Sequence, residues 1–129
     1  MDDQTRLTYL SLALRIFGII FIFGVYLMME FVFTSGWTWE PRQSEYEQMM
    51  VGVYAVLGVF LLLAARNPQG HRSLIQFTVW SSLAHGGIML VQALVDEAER
   101  ENLVGDVPAL FLVGVVLWVL LPQKAAATA

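Results

Sequence analysis

The chain has no cysteine, few charged residues and no run of basic side chains. Without cysteine there can be no disulfide, thiol nucleophile, cysteine-ligated zinc or iron–sulfur cluster, and no prenyl or palmitoyl anchor. The second residue is Asp2 rather than the glycine that myristoylation requires. Without clustered Lys and Arg, and with a formal net charge of -4, the chain has nothing to displace counterions from a phosphate backbone. Nucleic-acid binding is therefore not expected. With 14% charged residues against 57% apolar ones, there is too little polar surface to coat a water-soluble core of 129 residues. The mean hydropathy of +0.64 points the same way. The composition is that of one integral membrane domain, 1–129.

What is present is length in apolar runs. A hydrocarbon core about 30 Å thick takes roughly 20 helical residues. Four segments meet or approach that length, at about 7–29, 46–65, 74–95 and 103–121. Because backbone amides in lipid must pair within their own segment, each is expected to be a helix. The expected fold is an all-α membrane protein, a bundle of four transmembrane helices. The acidic start "MDDQTR" and the length of the first run predict an uncleaved span rather than a signal peptide. In the fourth segment Asp106 reads as an N-cap with Pro108 in the first turn, so the helix begins between Leu103 and Val107. The acidic "DEAERENLVGD" reads as a connector or as a helical extension of the third span.

Charge then orients the bundle. Arg6, Arg15, Arg66, Arg72 and Lys124 fall on the side of the termini and the second connector, and only Arg42 and Arg100 on the other. Nine of the eleven acids lie on that opposite side. The positive-inside rule places both termini in the cytoplasm, in a bacterial inner membrane. Trp37 and Trp39 of "GWTWEPR" suit an outer aromatic belt or a ligand-binding loop, and Trp118 an inner belt. Gly18 and Gly24 in the first span, with Gly52, Ala55 and Gly58 in the second, predict close packing between the two.

Polar residues inside a span raise a functional question by default. In the third span Thr78, Ser81 or Ser82, His85, Met89, Gln92 and Asp96 recur at steps of three and four, one face of a helix that should point inward. His85 falls near the middle of the span, beside Gly86 and Gly87. Three readings of it stay open. It packs, with one hydrogen bond to Tyr26, Tyr54 or a carbonyl; it lines a pocket for a small amphipathic molecule such as a quinone; or it serves a metal, haem or proton relay. The other histidine, His71, is roughly 21 Å away along a continuous helix, so one chain cannot supply both axial ligands to one haem. A homo-oligomer pairing two copies of His85 would be needed, or Met89 as the second ligand. Arg15 either snorkels to the headgroups or faces inward as a counter-charge. Glu30 and Glu47 flank the first outer loop as solvated acids, as partners of Arg42 or Arg100, or as an external cation site. No metal ligand set and no catalytic motif such as H-E-x-x-H, a P-loop or G-x-S-x-G occurs.

The segments "LALRIFGIIFIFGVY", "YEQMMVGVYAVLGVFLLLAARNPQGHRSLI", "TVWSSLAHGGIMLVQAL" and "GDVPALFLVGVVLWVL" together resemble a family of short bacterial four-helix membrane proteins of unknown function. The arginine followed by glycines in the first span is also loosely similar to the DoxX-like group, whose members include a membrane subunit of a quinone-linked oxidoreductase. The residues favour a non-enzymatic membrane subunit, or a module binding a small hydrophobic ligand or a membrane-protein partner. The alternatives are a redox-associated protein holding quinone or haem at His85, and a small oligomeric transporter or channel. The candidate pocket comprises His85, Ser81, Ser82, Met89, Gln92, Arg15, Tyr26 and Tyr54.

Overall fold

The structure, a computed structural model, describes residues 2–27 and 44–122. It is all-α, with no strand among the described residues. Helix α1 runs Asp3–Leu27, α2 Ser44–Ala64, α3 Arg72–Val95 and α4 Asp106–Leu120. A 3-10 helix, Glu97–Leu103, joins α3 to α4. The "GWTWEPR" loop with Trp37 and Trp39, Glu30, Arg42, Lys124 and the side chain of Glu47 lie outside the described residues.

Two helices, α1 and α3, are long and apolar enough to cross a membrane, and the 3-10 helix with α4 forms a third such unit bent by 41°. At 1.5 Å per residue α3 is about 36 Å long and α4 only about 22 Å. The break before α4 follows from local chemistry. Asp96 is extended, at φ -119° and ψ 124°, which ends α3, and its carboxylate accepts a hydrogen bond from the amide of Ala98 at 2.9 Å. The acidic connector is thus a separate 3-10 turn capped by Asp96 and not an extension of α3. Asp106 occupies the first position of α4, with Gly105 before it and no side-chain cap. Pro108 falls within the first turn, where no intrahelical N–H is lost.

The turn between α2 and α3 closes on itself. Asn67 accepts the amide of Gly70 on its side-chain oxygen at 3.2 Å, and the amide of Asn67 reaches the carbonyl of Ala64 at 3.1 Å. Helices α1 and α2 are antiparallel and in register over most of their length. Ser11 donates to the carbonyl of Ala65 at 2.6 Å, Gly18 meets Gly58, and Phe21 meets Tyr54. Helices α3 and α4 are antiparallel in the same way, Gly86 lying on Leu110 and Gly114 on Leu83.

The Gly18–Gly58 pair explains the spacing of α1 and α2. A Cβ on Gly58 would come within 2.6 Å of the Gly18 carbonyl oxygen, and one on Gly18 within 2.9 Å of the Gly58 oxygen. Backbone therefore touches backbone, as small residues permit where no water drives association. Among the described residues Gly52 has nothing within 4 Å of the equivalent position, so of the two glycines of α2 it is Gly58 that meets α1 there. The packed core gathers at the end of the bundle that carries the termini. There Leu10 and Leu14 of α1, Leu61 of α2, Ile75 of α3 and Leu117 of α4 are all 0% exposed.

Candidate functional site

The α2–α3 contact is slight beside α1–α2 and α3–α4, and one polar bond crosses it. Tyr54 stands near the midpoint of α2 and His85 near that of α3, and the phenol oxygen lies 3.0 Å from Nδ1 of the imidazole. Both side chains are half-buried. Their hydrogen bond couples two protonation choices. When the phenol donates, Nδ1 is the acceptor and the ring proton sits on Nε2; when Nδ1–H donates, Nε2 is left as an acceptor. In either case one nitrogen is engaged, which fixes the ring, and Nε2 remains.

Phe21 positions the tyrosine. Its ring meets that of Tyr54 edge-on, with centroids 5.2 Å apart and planes at 79°, the geometry favoured by aromatic quadrupoles. Phe21 is buried and belongs to a π-helical turn, Ile20–Gly24, inserted in α1. Such turns widen a helix by one residue and recur where a side chain must be re-aimed. Asp106, half-buried at the start of α4, lies within Coulombic reach of the Tyr54 phenol. Segments of α1, α2 and α3 thus converge on one aromatic and polar group near mid-height.

The polar face expected on α3 divides along its length. Thr78 and Ser82 are buried; Ser81, His85 and Met89 are half-buried; Gln92 and Asp96 are exposed. The hydroxyl of Thr78 returns to the carbonyl of Leu74 at 3.0 Å, and that of Ser81 to Thr78 at 3.3 Å. These two hydroxyls are satisfied within their own helix, the usual way for Ser and Thr to enter lipid. Tyr26 is 50% exposed on the outside of α1 and does not partner His85. The extra residue in the π turn alters the helical phase between Gly18 and Tyr26, so the face expected from regular spacing is not the face that forms. Arg15 is exposed and lines a surface groove with Arg66, Ser11 and Thr8, away from His85. Met89 follows His85 by one turn.

Gly86 and Gly87 part company. A Cβ on Gly86 would lie 3.2 Å from the Cβ of Leu110 and 3.4 Å from the ring of Phe111, whereas Gly87 faces open space. The close approach at this point is made by α4. At the far end Arg100 pairs with Glu97 at 3.0 Å, both exposed, and Asn102 is buried and donates to Glu99 at 2.7 Å. Among the described residues no three of His, Asp and Glu gather as a metal site would require. His71 is exposed in the turn before α3, remote from His85.

Phe21 and Asp106 carry no sequence signal for this site. One is an ordinary apolar residue of a long apolar helix, and the other reads as a helix start. Only the π turn brings Phe21 to Tyr54, and only the fold sets Asp106 within Coulombic reach of it.

No curated protein and no solved structure matches the chain. One family model does, over residues 4–128. Since that match takes in nearly every residue, including both members of the Tyr54–His85 pair, the chain belongs to the family of unknown function DUF6632.

Proposed function

We propose that this is a multi-pass inner-membrane protein of four spans, both termini cytoplasmic, that acts as a non-enzymatic membrane subunit or binding module. Its working surface is the thin polar seam between α2 and α3, where a small hydrophobic molecule or a partner helix docks beside His85. The observation that carries this reading is the Tyr54–His85 hydrogen bond at mid-height, across the slight α2–α3 contact. A hydrogen bond in hydrocarbon holds helices together only modestly, by about 0.6 kcal/mol on average. A seam held in this way is the readiest to open for a ligand that offers a replacement donor or acceptor.

Native mass spectrometry of the detergent-extracted protein tests the reading. A bound hydrophobic molecule or second subunit is expected on the wild type and lost from His85→Leu. Spectra of the bare chain alone in both would reduce the pair to packing. A reporter fused after Lys124 is expected to behave as cytoplasmic, and periplasmic activity would overturn the orientation.

A second reading rests on the remaining nitrogen. With Nδ1 held by Tyr54, Nε2 is oriented and free to meet a quinone carbonyl or a haem iron, and the loose likeness to the DoxX-like group supports the quinone. Stoichiometric quinone in an organic extract, or a Soret band on the purified protein, would favour it over the first reading; absence of both would remove it.

A further inference from the structure

At the end of the bundle that carries the termini, α1, α3 and α4 border an open-sided pocket of about 430 Å³. Arg6, Arg72 and Gln76 supply its polar wall, Trp80 and Trp118 flank it, and Val79 is part of its apolar wall. Among the described residues no carboxylate lines it. The Nε of Arg6 is buried and has no hydrogen-bond partner among the described residues. Arg72 spends one N–H on the carbonyl of Pro122, just beyond α4, and keeps the rest of its guanidinium for the cavity. Trp80 and Trp118 are both largely exposed on the outer surface, where their rings suit the boundary between headgroups and acyl chains.

We propose that this cavity seats the phosphate-bearing headgroup of an anionic phospholipid, its phosphate between Arg6 and Arg72 and its acyl chains running down past Val79 between the two tryptophans. The charges are complementary, since two guanidinium groups border one pocket and no carboxylate offsets them among the described residues. Planar guanidinium donors match phosphate oxygens in geometry. Gln76 offers an amide to a glycerol or headgroup hydroxyl. The site stands apart from the Tyr54–His85 seam, and it rests on the membrane placement proposed above.

The test uses the full chain with Trp37→Phe and Trp39→Phe, which leaves Trp80 and Trp118 as its tryptophans. It is reconstituted in vesicles of phosphatidylcholine containing a small fraction of either brominated phosphatidylglycerol or brominated phosphatidylcholine. At about a factor of five per arginine near the surface, the two arginines are expected to make brominated phosphatidylglycerol occupy the site roughly 25-fold more readily. Arg6→Gln should lower that preference by roughly fivefold, while Arg15→Gln, in the other groove, should leave it unchanged. Equal quenching by the two lipids in the wild-type arginine background overturns the proposal outright, whatever the variants do. So does a preference that excess inorganic phosphate abolishes, which would assign the cavity to a soluble anion. Failure of the protein to float with the vesicles, with no quenching by either lipid, is the distinct result that would sink the membrane placement itself.

Discussion

The α1–α2 seam and the α2–α3 seam share a helix, yet they are built on opposite principles. In the first, Gly18 and Gly58 bring two backbones into contact, and Ser11 adds a hydrogen bond to the Ala65 carbonyl. In the second, two long side chains, Tyr54 and His85, reach across a gap and meet at their tips. Close backbone packing has no adjustable part: the atoms that touch belong to helical peptide units that cannot turn aside. A tyrosine–histidine contact has rotatable bonds on both sides and a proton that either partner can carry. The difference separates a permanent joint from a seam that can be remade.

Changes that test this contrast range widely in size. Gly58→Leu should be the most damaging, because its Cβ alone would stand 2.6 Å from a carbonyl oxygen of α1. A loss of about 3 kcal/mol or more is expected, measurable as a collapse of the folded fraction in detergent. If the variant unfolds like the wild type, α1 and α2 do not pack as described. Gly86→Leu comes next at about 1–3 kcal/mol, since the Leu110 and Phe111 side chains that it meets can yield. Gly87→Leu, facing open space, should cost much less, and equal losses at the two glycines would contradict the α3–α4 register.

Smaller effects are expected at the polar seam. Tyr54→Phe and His85→Leu should each cost about 1 kcal/mol, with a coupling energy near 0.6 kcal/mol in the double-mutant cycle. Strict additivity would show that the bond contributes nothing to holding α2 against α3. Gly52→Ala should be the mildest, within about 0.5 kcal/mol of the wild type, because the added methyl meets nothing and Ala is the better helix former. A loss comparable to that of Gly58→Leu would mean that α2 faces α1 with a different side.

How much of this was legible beforehand varies with the kind of information. The helices follow from apolar length, and their ends differ from expectation by a few residues. The 74–95 segment, for example, appears as Arg72–Val95, because the turn "RNPQGH" admits a helix start at Arg72. The Gly18–Gly58 contact was readable as small residues on neighbouring segments, but choosing Gly58 over Gly52 required the register. Tyr54 stood beside Tyr26 as an equal candidate for His85, since regular helical spacing treats both as inward. The π turn at Ile20–Gly24 breaks that spacing, and no residue in "IFIFG" announces it. The orphaned Nε of Arg6 was likewise invisible, because Arg6 in isolation reads only as one of the basic residues that orient the chain.

Sequence by itself determined the class of molecule. Long apolar runs with satisfied backbones must be helices, and the absence of cysteine rules out thiol chemistry. Sequence also singled out His85, because an ionisable ring in an apolar run is costly wherever it lies. Tertiary structure alone decided what stands opposite that ring, which glycines touch backbone, and that Arg6 and Arg72 share one cavity. The physical reason is that periodicity describes a helix relative to its own axis. A partner lies on another axis, and its identity depends on register, on the crossing of helices and on a single inserted residue, none of which a one-dimensional pattern records.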